Sequence, residues 1–232
     1  AHRRIVRDKM RTAVYTCIIG GYDELLQPRV PDPEFDYICF VGKGEKTADR
    51  VGVWQIREFD CGPGDPSMRS RYPKMHPHEL LPGYDASLWI DGNIEVLDES
   101  LWRAVRIKES AGVKYSGVAH PSRTDVFQEA RMCFNMHYIS LFRLLRVWVW
   151  QYLQGMRRGS ALMENNIIFR LHNDPDIVAL DLMWWKCLTR VARRDQLSLM
   201  PCLRRCGIPR DYLLPRAQNS RNHPGLRYLP HK

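Results

Sequence analysis

Short β-branched apolar runs alternate along this chain with longer stretches whose apolar residues recur every three to four positions. That is the pattern of strands alternating with amphipathic helices. Residues 11–19, Arg-Thr-Ala-Val-Tyr-Thr-Cys-Ile-Ile, stop at Gly20-Gly21 and predict a buried first strand. Residues 36–41 and 51–56 predict two more, the latter followed by a breaker cluster from Cys61 to Pro66. Residues 67–78 carry basic and His side chains on a helical pattern that Pro73 interrupts. Asp98 or Glu99 starts a helix through Leu101, Val105 and Lys108. Residues 115–119 predict a strand closed by His120-Pro121, and 125–131 open a helix. Residues 166–171 are strand-like, while 179–193 and 195–205 are helical.

The most membrane-like stretch, 138–153, contains Arg143 and Arg146 and falls short of a span. On a helical wheel Ser140, Arg143, Arg146, Gln151 and Gln154 share one side and leave a broad apolar face, which predicts a core helix. Trp150 falls on the polar side, where contact with a partner or a lipid surface stays open. Together the elements predict a single mixed α/β domain over 12–206 with a mainly parallel central sheet flanked by helices. Residues 1–11 form a basic arm. Residues 207–232, with Pro209, Pro215, Pro224 and Pro230, form an irregular extension.

Residues 87–97, Ser-Leu-Trp-Ile-Asp-Gly-Asn-Ile-Glu-Val-Leu, carry the densest chemical signal. An apolar run delivers Asp91 to a tight turn at a strand's carboxyl end, where open α/β sheets bind ligands. A carboxylate there, with the Asn93 oxygen two residues on, suits a hard divalent cation that also holds phosphates. Asp-Gly is equally a favoured hairpin pair, so a plain two-residue hairpin stays open.

The 232 residues are 44% hydrophobic and 26% charged, enough for one large core. A net charge of +9 and a pI near 9.3 imply an anionic partner: nucleotide diphosphate, nucleic acid, acidic polysaccharide or membrane surface. Apart from Arg3, Arg4, Arg7, Lys9 and Arg11, the basic residues are scattered. The Trp and Tyr side chains lie in apolar runs rather than between basic patches, so nucleic acid is not expected. The seven cysteines are odd in number, widely spaced and without a Cys-x-x-Cys pair. A reducing compartment fits better than a disulfide scaffold or a structural zinc site. The first residues lack the apolar core of a signal peptide. The expectation is a cytoplasmic protein, or the Golgi lumen if this is a domain of a longer membrane-anchored one.

The order of motifs is specific. Val14-Tyr15-Thr16, Gly20-Gly21-Tyr22-Asp23, Arg71-Tyr72-Pro73-Lys74, Pro77-His78, Tyr84-Asp85 and Ser87 to Asn93 are followed by His120-Pro121-Ser122-Arg123 and Glu129-Ala130. Glu164-Asn165-Asn166-Ile167-Ile168-Phe169-Arg170, Trp184-Trp185 and Arg194-Asp195-Gln196-Leu197-Ser198 complete the series. From about Thr12 to Leu199 the chain resembles the glycosyltransferase-like domain of plant mucilage and turgor proteins and their bacterial relatives, long filed as a domain of unknown function. The resemblance implies a GT-A-like nucleotide-sugar-binding fold. The chain departs from the family where Ala161-Leu162-Met163 replaces the usual Gly-Leu before Glu164-Asn165, which affects a local acceptor contact.

Glycosyl transfer leaves a nucleoside diphosphate, so cationic groups must await the charge that builds on the β-phosphate oxygen. Asp91 is the main candidate as metal ligand or ribose contact, with Asn93 as a carbonyl ligand to Mn²⁺ or Mg²⁺. A neutral Asn lowers metal affinity, and Arg71 and Lys74, three residues apart, can supply the difference. Their plainer role is a solvated basic helix face. Gly20, Gly21, Tyr22 and Asp23 allow a nucleotide to approach the backbone, or form only a turn. Asp195 is the candidate for acceptor activation, or a simple helix cap. Glu164 is its rival. His223 could close over a nucleotide or ligate metal, and His76, His78, His120 and His172 are further conceivable ligands. The leading reading is a transferase moving a sugar from a nucleotide donor to a glycan or other hydroxyl acceptor in polysaccharide biosynthesis. A metal-dependent hydrolase, or a non-catalytic binder of acidic glycan or nucleic acid, is the alternative.

Overall fold

All six residues of β1 (Thr12–Cys17) are buried, because this strand lies inside a sheet covered on both faces. The other strands are β2 (Asp36–Gly42), β3 (Arg50–Val51), β4 (Trp54–Phe59), β5 (Ala86–Ile90), β6 (Ile94–Val96), β7 (Tyr115–Ala119), β8 (Met163–Arg170) and β9 (Leu226–Tyr228). The helices are α1 (Pro66–Met75), α2 (Pro77–Leu80), α3 (Ser100–Ser110), α4 (Val126–Asn135), α5 (Leu141–Leu153), α6 (Pro175–Arg190) and α7 (Leu199–Arg205), with a 3-10 turn at Asp195–Leu197. The computed structural model describes residues 10–60, 62 and 64–230. Arg3, Arg4, Arg7 and Lys9 of the basic arm, and Cys61, lie outside the described residues.

Seven strands form one sheet in the order β3-β4-β2-β1-β5-β8-β7. Strands β4, β2, β1 and β5 are mutually parallel, and β8 runs antiparallel between β5 and β7. The expected α/β architecture, a mostly parallel central sheet flanked by helices, is therefore present. Alternation along β1 sends Ala13, Tyr15 and Cys17 to one face, with Met75 of α1, Trp184 and Leu188 of α6 and Leu203 of α7. Val14 points to the other face, with Leu101, Trp102 and Val105 of α3. Trp102 and Trp184 are fully buried; side chains of this size contribute on the order of 3 kcal/mol each on burial.

Pro73 lies inside α1, which ends two residues later. Segment 195–205 is a 3-10 turn followed by α7, not one continuous helix. The chain after 207 returns to the domain, where β9 pairs antiparallel with β6.

Helix α5 departs from the core-helix expectation. Leu144, Val147 and Gln151 are buried, but Phe142 is 78% and Leu153 73% exposed. The helix packs through one narrow stripe on α4 and the 3-10 turn. Gln151 is drawn inward because its Nε2 donates to the Leu197 carbonyl at 3.0 Å. In a helix apolar on most sides, the wheel cannot choose which side meets a neighbour.

Candidate active site

A cleft of about 930 Å³ opens beyond the carboxyl ends of β1 and β5, between α1, the 3-10 turn, β8 and the C-terminal segment. This is where a parallel sheet presents its ligands. Gly20, Tyr22, Asp23, Arg71, Lys74, Asp91, Asn93, Glu164 and Asp195 all line it. Gly21 and His223 do not.

Asp91 follows the last residue of β5, and its backbone N–H donates to the Asn166 carbonyl of β8 at 2.8 Å. The plain-hairpin reading of Asp-Gly-Asn therefore fails. Strand β5 pairs with β1 and β8, and β6 beyond the turn belongs to a different sheet. Trp89, on the same side of the strand, donates its indole N–H to Asp91 Oδ1 at 2.5 Å. The Asp23 side chain packs against Gly92, where an added Cβ would stand 3.4 Å from Asp23 Oδ2.

Lys74 links this strand end to the opposite wall. Its ammonium donates to Asp91 Oδ1 at 3.2 Å and to Asp195 Oδ2 at 3.0 Å, and lies 5.4 Å from the Trp89 ring centre. The Lys74 side chain is only 6% exposed, so its charge acts through little intervening water. Arg170, fully buried, holds this lysine from behind. It donates to the Lys74 carbonyl, to Tyr15 Oη at 2.6 Å and to Asp181 Oδ1 at 2.6 Å.

Burial opposes charge on Asp195, but the Lys74 ammonium, with Arg71 and Arg194 beyond it, outweighs burial and holds the carboxyl down at about 2. Its Oδ1 also accepts from the Gln196 N–H at 3.0 Å, and the Trp184 indole fixes its carbonyl at 3.0 Å. A carboxylate this acidic stays ionised at neutral pH and is a weak proton acceptor, although it accepts hydrogen bonds well. Glu164 lies within β8, one residue inside the strand rather than before it. Ser220 Oγ donates to its Oε2 at 3.0 Å, and Arg221 pairs with its Oε1.

The residues present do not form a metal cage. Among the described residues no group of three or more His, Cys, Asp or Glu side chains is placed to hold an ion. Asn93 donates its amide to the Leu229 carbonyl at 2.9 Å, while its Oδ1 is buried without a hydrogen bond. The Lys74 ammonium already lies against Asp91. One carboxylate and one amide oxygen beside a fixed ammonium is a poor donor set for a divalent cation.

None of the described histidines lines the cleft. His223 uses Nδ1 to accept from the Gly225 N–H at 3.0 Å and feels Asp98 rather than Asp91. His76 stacks on Tyr72 with ring centres 4.0 Å apart, and His120 Nδ1 accepts backbone N–H groups of Ser122 and Arg123. His172 is tied to the Leu81 carbonyl at 2.9 Å. Each fills a structural place that its neighbours in sequence do not reveal.

The cleft also holds residues that the sequence reading passed over. Asn165 is 2% exposed and lines the cleft, yet neither its Oδ1 nor its Nδ2 has a hydrogen-bond partner among the described residues. Buried amides rarely stay unpaired, which makes Asn165 a candidate for a ligand contact. Its signal was present in Glu164-Asn165-Asn166, three polar residues entering an apolar strand. Arg221 and Tyr228 carry no comparable signal, because the pairing of β9 with β6 brings them to the cleft.

The chain belongs to the family described as TOD1/MUCI70, glycosyltransferase-like domain, which it matches over residues 2–210. No curated protein matches it in sequence. Among solved structures, it is similar to core-mannan synthase A (CmsA/Ktr4) from Aspergillus fumigatus in its Mn/GDP form. That likeness has a TM-score of 0.44 and 10% identity, over 84% of this chain and 70% of that one. Mouse xyloside xylosyltransferase 1, apo form, aligns with a TM-score of 0.49 and 8% identity over 88% and 84%. The apo WbbM bifunctional glycosyltransferase aligns at 0.44 and 11% over 89% and 39%. Similarity at this level bears on neither site nor substrate.

Proposed function

We propose that this protein is a glycosyltransferase that moves a sugar from a nucleoside-diphosphate donor to a hydroxyl acceptor such as a glycan. Lys74 between Asp91 and Asp195, at the base of a cleft beyond parallel strands, is the observation that carries the reading. The cleft volume of about 930 Å³ falls within the range of about 300–1,000 Å³ usual for small-molecule sites.

In this reading Gly20 and Asp23 face the nucleoside, and Lys74 and Arg71 face the diphosphate. As the anomeric C–O bond breaks, its electron pair passes to the β-phosphate oxygen, and the two cations stabilise that charge. The acceptor oxygen forms the new bond to the anomeric carbon, and its proton passes to the departing diphosphate oxygen. Asp195 accepts a hydrogen bond from the sugar or acceptor hydroxyl, and Asp91 holds the Lys74 ammonium in place. The odd number and wide spacing of the seven cysteines fit work in a reducing compartment such as the cytoplasm.

The test is a thermal-shift screen of nucleoside diphosphates with and without Mn²⁺, followed by transfer assays with the nucleotide sugars of any base that binds. A ligand at about 100 times its dissociation constant stabilises the fold by about 2.7 kcal/mol. With the positive charge supplied by Lys74 and Arg71, the shift should persist in EDTA. Arg71→Ala should weaken binding by about 1.5–3 kcal/mol, the range for charge-assisted hydrogen bonds. Absence of a shift with every nucleoside diphosphate would overturn the reading.

A further inference from the structure

Residues 130–163 contain five arginines and no aspartate or glutamate. Helix α5 lies within this stretch and buries only the stripe of Leu144, Val147 and Gln151. At about 100° per residue, Leu141, Phe142, Leu145, Val149, Tyr152 and Leu153 share one arc of about 120° away from that stripe. All six are exposed. Arg146 and Arg143, both exposed, border the arc on one side, with Trp150 between them on the wheel. Met132, Met136 and Tyr138, in the segment that leads into α5, are exposed as well, and Tyr138 also lines the cleft. Scattered exposed apolar residues are ordinary, but a contiguous array on one helix marks an interaction surface.

We propose that α5 is an interfacial helix that seats this protein on an anionic lipid bilayer. The apolar arc enters the boundary between headgroups and acyl chains, and Arg143 and Arg146 meet lipid phosphates. The 13 residues of α5 span about 20 Å, against about 30 Å of hydrocarbon, so the helix lies in the membrane plane rather than across it. Among the described residues, no helix is long and apolar enough to cross a membrane.

Charge decides for lipid over a second copy of the chain. Arg143 and Arg146 beside the arc, in a stretch without a carboxylate, complement an anionic surface. An isologous pair would set the same arginine-bearing surface against itself.

The experiment is co-sedimentation of the full chain with vesicles of phosphatidylcholine alone and of phosphatidylcholine mixed with phosphatidylserine, at low and high salt. The expected result is binding to the phosphatidylserine vesicles, weakened by salt, with a blue shift in tryptophan emission. Phe142→Glu combined with Leu153→Glu should lower partitioning at least about tenfold. Arg143→Gln and Arg146→Gln should each lower it roughly fivefold. Circular dichroism melts of all variants should match the parent, since these side chains are exposed. Failure of the parent to bind, or equal binding by the Phe142/Leu153 variant, overturns the proposal. So does a dimer that this variant dissociates while vesicles remain unbound, which would assign the surface to self-association.

Discussion

Lys74 Nζ lies 3.0 Å from Asp195 Oδ2, although 121 positions separate the two residues in the chain. The contact joins α1 to the 3-10 turn, and the same ammonium reaches Asp91 at the end of β5. Three elements that meet only in the folded chain thus share one positive charge at the base of the cleft.

Replacing Lys74 tests that arrangement. Lys74→Met removes the main counter-charge, so the Asp195 carboxyl should rise from about 2 towards the ordinary carboxylate range. Carbon-detected NMR titration of Asp195 reads this directly. Nucleoside diphosphate affinity should fall by about 1.5–3 kcal/mol, measured by calorimetry. An unmoved Asp195 titration would show that the other basic groups hold it.

Asp195 and Glu164 should separate by kinetics. Asp195→Asn is expected to depress turnover while sparing nucleotide binding, the pattern of a group acting in the chemical step. Glu164→Gln removes the charge that faces Arg221 and should act mainly on stability, by about 1–3 kcal/mol. Thermal melts and initial rates with donor and acceptor distinguish them. The opposite outcome would exchange the two assignments.

Asn165 provides a sharper division between fold and site. Its amide forms no hydrogen bond among the described residues, so Asn165→Leu should leave stability within about 1 kcal/mol of the parent or raise it. Ligand affinity should nevertheless drop, by about 0.5–1.5 kcal/mol for one neutral hydrogen bond. A large loss of stability with unchanged ligand binding would mean that Asn165 belongs to the core.

Acid should destabilise the protein progressively. Burial, with Arg170 nearby, pushes His172 down from 6.5 to about 4. Its Nε2 is tied to the Leu81 carbonyl while its Nδ1 is buried and unpaired, so protonation would create a charged donor without an acceptor. A base with a depressed folded pKa binds its proton more readily when unfolded, so stability falls as pH drops below about 6.5 and levels off near 4 for this group. Asp195 follows, because its stabilisation, present above 3.8, is lost as pH falls through about 2. Burial also holds His76, His78, His120 and His223 down, so denaturant melts should show a continuous loss, and His172→Gln should lessen its slope between pH 6.5 and 4. An identical pH profile in that variant would remove His172 from the explanation.

Much of this protein was legible in the linear chain. Short runs bounded by breakers marked the buried strands, so residues 115–119 matched β7 at both ends and 36–41 fell within β2. Asp91 was legible for the same reason: an apolar run that ends on a carboxylate and glycine marks the end of a buried strand. Lys74, Arg71, Glu164 and Asp195 were recognisable as polar groups at element edges, but not as neighbours. Tertiary structure alone decided that Lys74 lies between two carboxylates, that Asp195 is held acidic, and that Arg221 and Tyr228 return to the cleft. It also decided which side of α5 is buried, against the wheel. Local pattern reports whether a residue favours burial and at what period. It carries no record of which distant element will supply the other wall, and charge pairing, pKa and the exposed face of an apolar helix all depend on that wall.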